Sequence, residues 1–172
     1  MIKSISLLAI FVTVGFFSGC ATHQMTQSQK EALVERVLPG MAESLVEQQP
    51  RQEEMETMLK DYLKSNPEIY GIAFAPARPQ RGANPKPALY VSRRMGGLAT
   101  TELMPPNYDY FRMAWYKLPV KEIQARWTSP YFDEDGGNIW MKTYSIPMFG
   151  GGSPEGLYGV VTSDIRVSAP RN

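Results

Sequence analysis

Residues 127–147 (W-T-S-P-Y-F-D-E-D-G-G-N-I-W-M-K-T-Y-S-I-P) combine three consecutive acids with five aromatic residues. An EF-hand calcium loop needs oxygen ligands at alternate positions and a glutamate at its twelfth position. Counted from Asp133, the third position is Asp135, but the twelfth is Tyr144, so the closing carboxylate is missing. The Asp-Gly and Gly-Asn steps are typical of a hairpin turn. The sequence therefore predicts a solvated hairpin turn without metal.

Histidine-dependent catalysis has no basis in this chain. His23 is the only histidine, and it lies close to the N-terminus. A Ser-His-Asp catalytic triad would lack its histidine general base, and a zinc site that uses histidine would lack that ligand. The chain has no G-x-S-x-G motif, and the glycines at 150–152 join two predicted strands rather than opening a helix. We expect no enzyme, cofactor or metal.

Asp164 is the acidic residue that most needs an explanation. It lies in a predicted valine-rich strand at 157–167, where alternation places it on one face with Tyr158 and a threonine. A buried carboxylate must find a partner or lose its charge. One interpretation is an internal salt bridge to Arg112 or Arg166. The other is an anchor for the ammonium or hydroxyl group of a small ligand.

The N-terminus predicts export and lipid attachment. Ile5–Phe17 is an apolar run of thirteen residues, whereas a membrane-spanning helix needs roughly 20. The run ends in F-S-G-C, which is similar to the lipobox of bacterial lipoproteins. We therefore expect a signal peptide over 1–19 and lipid on Cys20, the only cysteine. In such lipoproteins, a residue like Ala21 behind the cysteine implies the periplasmic face of the outer membrane.

Composition indicates one globular domain. Without the signal peptide about 153 residues remain, which suffice for a single core. Their basic and acidic residues balance at 17 each. No basic stripe is present, so nucleic acid is not an expected partner. Fourteen glycines and fourteen prolines indicate a loop-rich α+β domain.

A helical stripe follows a polar tether at 20–29. Thr26 or Ser28 is a suitable N-cap for this first helix. Pro39 should kink or divide it, because proline removes a backbone donor and crowds the previous turn. The apolar positions recur at three- and four-residue steps: Leu33, Val34, Val37, Leu38, Met41 and Leu45.

The remaining elements are a second helix and a meander of about five strands. The helix is predicted from about Pro50 to Leu63, and an aromatic segment at 104–120 is predicted as a loop with a short helix. We place one domain at 30–168 and a tail at 169–172. The clearest strands lie at 69–75, 88–93, 139–149 and 157–167.

Five strings occur in a familiar order: N-P-E-I-Y-G-I-A-F, A-W-Y-K-L-P, W-T-S-P-Y-F-D-E-D-G-G-N, T-Y-S-I-P and G-V-V-T-S-D-I. Together they resemble the Cache (PDC) sensor domains that lie outside the membrane in bacterial chemoreceptors and histidine kinases. The resemblance covers 30–168. It implies a PAS-like α+β fold, in which a long N-terminal helix packs on a central antiparallel sheet of about five strands. The ligand pocket would lie under the irregular segment.

The resemblance also implies a site. Its arginine position, two residues before the tryptophan, is Met113 here, and Arg112 lies one place earlier. A bidentate α-carboxylate clamp depends on that geometry, so the shift argues against an α-amino acid. Four residues match the family's ligand contacts: Trp115, Tyr116, Tyr131 and Asp164. With Arg112, three aromatic residues complete the predicted site: Tyr110, Trp127 and Tyr144.

These features predict a lipid-anchored sensor lipoprotein for a small polar metabolite, namely an amine, an organic acid or an amino acid. No second module or transmitter domain precedes the last residue, Asn172. We therefore expect it to act through a separate membrane signalling or envelope protein. The alternative is a structural or protein-interaction lipoprotein that retains the fold without a ligand and docks through its first helix.

Overall fold

The computed structural model describes residues 24–79, 84, 86–94, 96–104, 107–134, 138–150 and 156–170. The predicted signal peptide at 1–19 and the lipidation site Cys20 lie outside the described residues. The same holds for 135–137 of the acidic turn and for most of the glycine-rich connection before the last strand.

The first helix, α1, spans Gln27–Gln48 and begins within the stretch predicted as a tether. Thr26 caps it: the Thr26 hydroxyl accepts from the Gln29 amide at 3.3 Å, and Gln29 Oε1 accepts from the Thr26 amide at 2.8 Å. Of the two expected effects of Pro39, a kink or a division, the division is wrong, because α1 runs through Pro39 unbroken. Pro39 is exposed, so water can pair with the carbonyl that proline leaves without a helical donor.

The second helix, α2, spans Gln52–Ser65 as predicted. Arg93 binds its end, where helical carbonyls lack amide partners. The guanidinium donates to the carbonyls of Leu63, Asn66 and Ile69, the last at 2.9 Å. Neither α1 nor α2, nor any other described helix, has the length and apolarity needed to cross a membrane.

Seven strands form one antiparallel sheet in the order β3-β2-β1-β7-β6-β4, with β5 also paired to β6. This confirms the predicted fold class. Five strands have six or more residues, and the other two are short. The strands are β1 Gly71–Pro76, β2 Ala88–Arg94, β3 Gly97–Leu103, β4 Arg126–Trp127, β5 Tyr131–Asp133, β6 Ile139–Phe149 and β7 Leu157–Arg166.

The sheet is covered on both faces. On one face α1 and α2 pack on an aliphatic core that includes Ile72, Val91 and Ile165. The other face carries Ala73, Tyr90 and further residues, and it meets an aromatic cluster from the irregular segment. That segment contains a 3₁₀ turn at Tyr110–Arg112 and a third helix, α3, at Ala114–Glu122. We call these the helix face and the aromatic face.

A β-bulge places the Tyr158 side chain on the face of the sheet opposite to the predicted one. Between β6 and β7, Met148 pairs with Gly159 and Phe149 pairs with Leu157, so Tyr158 has no partner in the register. Such a bulge shifts the alternation by one residue. The Tyr158 ring therefore packs on Phe74 at 5.2 Å on the helix face. It does not share a face with Asp164, as strict alternation predicted.

Candidate ligand-binding site

A cavity of about 20 Å³ lies on the aromatic face. This volume is space for the centre of a water-sized sphere, enough for about one water molecule. The central strands form its floor, and β5 and the segment 107–122 form its walls. Four aromatic side chains line it: Tyr90, Tyr108, Trp115 and Tyr131. The polar lining consists of Asp133, Thr143, Thr162 and Asp164.

Asp164 forms the charged part of the floor. In the register it lies between Gly71 of β1 and Thr143 of β6, and it is only 4% exposed. The Thr143 hydroxyl donates to Asp164 Oδ1 at 2.7 Å. Salt bridges of the described residues do not include Asp164. Arg112 is exposed, and Arg166 stacks over the Tyr70 ring at 4.5 Å, so the salt-bridge interpretation is wrong for both arginines.

The surroundings of Asp164 favour its protonated form. Burial raises the pKa of Asp164 to about 6, and the charge of Asp133 acts in the same direction. The Thr143 hydrogen bond and the nearby Tyr90 hydroxyl oppose this shift in pKa without cancelling it. A charged Asp164 is thus held in the cavity at a free-energy cost, which is typical of binding and catalytic groups.

A hydrogen-bond chain leads from the cavity wall to Asp164. The Tyr131 and Thr143 hydroxyl oxygens are 2.8 Å apart. Because Thr143 gives its own hydrogen to the carboxylate, Tyr131 is the donor in this pair. The Thr143 amide donates to the Thr128 hydroxyl at 3.1 Å. Backbone and side chain of Thr143 are thereby fixed, and Thr143 holds Asp164 and Tyr131 in place.

Tyr90 and Asp164 meet above Gly71. A Cβ atom on Gly71 would lie 2.5 Å from the Tyr90 hydroxyl and 2.8 Å from Asp164 Oδ2. The absence of a side chain at Gly71 therefore makes room for both groups. Tyr90 is 3% exposed, and its hydroxyl has no hydrogen-bond partner of normal geometry, although it lies close enough to the carboxylate to affect it. A buried polar group without a partner requires an explanation.

Trp115 is the one matched α3 residue that reaches the cavity. Its indole Nε1 donates to the Tyr108 hydroxyl at 3.3 Å. Tyr110 stacks behind it, with ring centroids 6.3 Å apart, and Tyr116 packs edge-on at 6.1 Å. The hydroxyls of Tyr110 and Tyr116 donate to backbone carbonyls, of Lys86 at 2.8 Å and of Pro76 at 3.3 Å. Tyr110 and Tyr116 thus support Trp115 from outside the cavity.

Three other predicted site residues lie elsewhere. Trp127 and Tyr144 pack on each other with tilted rings, 5.0 Å between centroids, on the helix face, where Trp127 donates to Glu35 of α1 at 2.8 Å. Arg112 is exposed at the end of the 3₁₀ turn. The structure therefore brings Trp115, Tyr131 and Asp164 together.

Five polar or aromatic cavity residues were not predicted as site residues: Tyr90, Tyr108, Asp133, Thr143 and Thr162. The hairpin itself is confirmed, because β5 pairs with β6 and the Asn138 amide donates to the Asp133 carbonyl at 2.7 Å. However, Asp133 is buried on the cavity wall, which corrects the expected solvation at this position, whereas Glu134 is exposed as expected. Among the described residues, no three His, Cys, Asp or Glu side chains form a metal-binding group.

A wider groove of about 710 Å³ lies between the start of α2 and the segment that follows β1. Its cationic residues, Arg51 and Lys86, are exposed. None of the described lining residues is a buried polar group that lacks a partner. The smaller cavity is therefore the better candidate site.

Comparison with known proteins adds a family match. Residues 55–169 match the family model described as "Methyl-accepting chemotaxis protein-like, first PDC sensor domain". The match begins inside α2, so α1 lies outside it. A search of the curated proteins gives no significant match.

Solved structures with the same fold come from receptors. One is the extracellular domain assigned to a histidine kinase, soHK1S-Z6 (24% identity, TM-score 0.68, 81% of this chain and 55% of that one). Another is chemoreceptor Tlp3 of Campylobacter jejuni with 4-methylisoleucine (17% identity, TM-score 0.57, 81% of this chain and 50% of that one). A third is the amino-acid chemoreceptor PctC of Pseudomonas aeruginosa with GABA (23% identity, TM-score 0.55, 81% of this chain and 56% of that one). This chain thus spans about half the length of the structures it matches.

Proposed function

We propose, because this chain belongs to the family of the methyl-accepting chemotaxis protein-like first PDC sensor domains, that it binds a small polar metabolite outside the cytoplasm. In this proposal Cys20 carries a lipid anchor at the periplasmic face of the outer membrane. Ligand binding is passed to a separate membrane signalling or envelope protein. The domain itself performs no catalysis.

One observation carries the proposal: a buried carboxylate on the floor of a cavity, with no cationic partner among the residues that the structure describes. Asp164 is held by Thr143 but is not neutralised. Removing a charge from water without a partner costs several kcal/mol. A purely structural site would be more stable with an uncharged residue, so this arrangement favours a ligand that interacts with the carboxylate.

The cavity walls suit such a ligand. Trp115 and Tyr131 provide apolar surface of fixed shape, while Asp164 and the hydroxyls can set the ligand's orientation. PctC with GABA and Tlp3 with 4-methylisoleucine are sensors of the same fold that hold small ligands. At about 20 Å³ the cavity holds one water-sized group. Binding of a metabolite therefore requires side chains of the segment 107–122 to move outward.

A thermal-shift screen of the full chain in detergent tests this proposal. The screen contains amines, organic acids and amino acids. A specific ligand at 100 times its dissociation constant should stabilise the protein by about 2.7 kcal/mol. Asp164→Asn should weaken that ligand by about 10- to 150-fold, the loss of a hydrogen bond to a charged group. Asp61→Asn, on the exposed face of α2, is the matched control and should not change affinity.

The alternative, a structural lipoprotein that docks through α1, predicts a different result. No compound in the screen would then stabilise the protein, and Asp164→Asn would alter only its folding stability. That outcome would refute the sensor function.

A further inference from the structure

We propose that strand β3 pairs with β3 of a second copy of this chain, so that two sheets join edge to edge across a two-fold axis at Thr100. This inference goes beyond the proposed function and does not depend on a ligand. It is based on the free backbone groups of β3, the lack of protection along that edge, the register in which two copies of β3 can pair, and the side of the sheet that α1 covers.

Strand β3 directs alternate backbone groups away from the sheet. It lies at one end of the strand order and pairs with β2. The Arg93 amide of β2 donates to the Tyr70 carbonyl, next to β1, at 2.9 Å. Since antiparallel partners alternate between hydrogen-bonded and non-hydrogen-bonded pairs, Arg93 does not bond to Leu98, its partner in β3. The amide and carbonyl of Leu98 therefore point outward, and so do those of Thr100 and Glu102.

The outward groups of β3 have no partner within the described part of the chain. None of the backbone hydrogen bonds found outside the helices and the strand ladders involves Leu98, Thr100 or Glu102. Helix α2 packs over β1 and β2, and it reaches β3 only through side chains. Glu56 accepts from the Thr100 hydroxyl at 2.7 Å, and Gln52 donates to Glu102 at 2.6 Å. The described parts of α2 thus leave the edge of the sheet open.

Strand β3 also lacks the features that protect an edge. Natural edge strands are usually very short, bulged, or interrupted by proline or an inward-pointing charge. The other end of the strand order shows the first of these, because β4 has two residues. In contrast, β3 has seven residues, G-L-A-T-T-E-L, and pairs with β2 without a bulge. Its edge is therefore suited to pair with another strand.

A second copy of β3 satisfies this edge completely. With the two-fold axis at Thr100, Thr100 lies opposite Thr100 of the second copy, and Leu98 lies opposite Glu102. Each of these pairs can exchange two N–H···O bonds, as hydrogen-bonded antiparallel pairs do. Every outward amide and carbonyl of both strands then has a partner. Because the pairing uses the same residues on both sides, it closes into a dimer and cannot extend further.

The side chains and charges of β3 permit this close approach. On the aromatic face, Ala99 would lie opposite Thr101 of the second copy, and both are small. Glu102 is the one charged residue of β3. The two Glu102 residues would be at least about 13 Å apart, four residues along the strand, which exceeds the screening length of about 8 Å. Glu56, near the axis, is already paired with Lys60 at 2.5 Å, so no unpaired like charges meet.

The pairing is compatible with the lipid anchor, and this step alone rests on the proposed function. A two-fold axis between neighbouring antiparallel strands is perpendicular to the sheet. It therefore keeps the helix faces of both copies on the same side of the joined sheet. Both α1 helices lie on that side, so the two anchors can enter one membrane.

A cysteine at the axis tests the register, with the full chain in detergent. In Thr100→Cys the two Cα atoms would be about 5.5 Å apart, which a disulfide can span. Thr101→Cys is the matched control, because two copies of residue 101 would be more than about 7 Å apart and could not be linked. We expect oxidation to link Thr100→Cys at least about tenfold faster than Thr101→Cys or the natural protein, whose one cysteine is Cys20.

Proline at the same position tests the backbone bonds. Thr100→Pro removes an outward amide but no hydrogen bond to β2, a position at which edge strands accept proline. Thr100→Val is the control: it also loses the bond to Glu56 but keeps the amide. Sedimentation equilibrium in density-matched detergent should show that Thr100→Pro raises the dimer dissociation constant at least about tenfold, because two symmetric hydrogen bonds are lost. Thr100→Val should raise it less than about threefold.

Three results would overturn the inference. The natural protein could remain monomeric at about 0.1 mM, or Thr101→Cys could form the disulfide as readily as Thr100→Cys. A dimer could also keep its dissociation constant in Thr100→Pro, which would mean that it uses another surface, such as the exposed side of α1. None of these results affects the sensor function, which the thermal-shift screen tests separately.

Discussion

Lys142 and Thr143 are neighbours in β6 whose side chains bind on opposite faces of the sheet. Lys142 Nζ lies 2.6 Å from Glu31 Oε1 of α1. Thr143 Oγ1 donates to Asp164 in the cavity at 2.7 Å. One short piece of strand therefore joins the candidate site to the N-terminal helix, and a ligand that moves Asp164 would act on both.

The Glu31–Lys142 pair should stabilise the fold measurably. Their side chains are only 24% and 16% exposed, and Lys142 also lies 5.0 Å from the Trp127 ring centre. A double-mutant cycle with Glu31→Gln and Lys142→Met, measured by urea unfolding, should give a coupling of about 0.5–2 kcal/mol. The exposed Asp61–Lys64 pair should give less than about 0.5 kcal/mol. Equal coupling energies for the two pairs would mean that the Glu31–Lys142 pair stabilises the fold no more than an exposed surface pair does.

Asp164→Asn should stabilise the ligand-free protein at pH 7.5. The folded-state pKa of about 6 lies above the value of about 3.9 in an unfolded chain. The stability that protonated Asp164 contributes to the folded state is fully present below pH 4 and is lost as pH rises through 6. Asparagine avoids that loss and can still accept from Thr143. We expect a gain of about 1–3 kcal/mol in the free energy of unfolding at pH 7.5 and little change at pH 4.

Urea unfolding of both proteins at the two pH values provides the measurement. A stability loss in Asp164→Asn at pH 7.5 would mean that the carboxylate has an ionic partner within the fold. The control Asp61→Asn, in the exposed Asp61–Lys64 pair, should change the free energy of unfolding by less than about 0.5 kcal/mol.

Binding of an amine identified in the thermal-shift screen should weaken in acid. An ammonium ligand needs the charged form of Asp164, so affinity should be constant above pH 7 and fall about tenfold per pH unit below 6. The other titratable groups that face Asp164 are Tyr90, Tyr131 and Asp133; burial raises the pKa of both tyrosines away from this range. In Asp164→Asn the residual binding should lose this pH dependence, and calorimetry from pH 5 to 8 measures both curves.

Gly71→Ala should abolish the site. The added methyl group would lie 2.5 Å from the Tyr90 hydroxyl and 2.8 Å from Asp164 Oδ2, so at least one of them must move. We expect a loss of about 1–3 kcal/mol in stability and no detectable binding of a ligand identified in the thermal-shift screen. Gly40→Ala is the control: nothing lies within 4 Å of its Cβ position on α1. It should stabilise the helix by about 0.5–1 kcal/mol without changing binding.

Cys20→Ser should release the protein from membranes or leave it unprocessed, because serine cannot receive the lipid. Fractionation of cells and the mass of the purified protein measure this. A Cys20→Ser protein that still fractionates with membranes at its processed mass would contradict the proposed anchor. Ser18→Ala keeps a small residue before the cysteine and should behave like the natural protein.

The helices were predictable because their signals are local. The apolar stripe and the Thr26 cap located α1, and Pro50 and Asn66 bracketed α2. Strand β3 carries the sequence G-L-A-T-T-E-L, which has too few apolar residues to give a period. Strands β4 and β5, with two and three residues, are too short to show one.

The site was predictable only in part, because it depends on which strands pair. Asp164 was identified as a charge within a valine-rich strand, and Trp115 and Tyr131 came from the family resemblance. Thr143 is a cavity residue because β6 pairs with β7 in a register that places it beside Asp164. Alternation then places Tyr144 on the helix face, but that choice of face requires the pairing to be known.

Under the proposed function, the water-sized cavity would also limit the rate of ligand binding. If the open form makes up about 1% of molecules, the apparent dissociation constant is about 100-fold weaker than the intrinsic one. Association then waits for Trp115 and its neighbours to swing away, so its rate constant falls below that of a preformed pocket. Once enclosed, the ligand leaves at the same slow opening step. Such a protein would respond to the ligand concentration averaged over the residence time of the bound ligand, and it would not respond to shorter changes in that concentration.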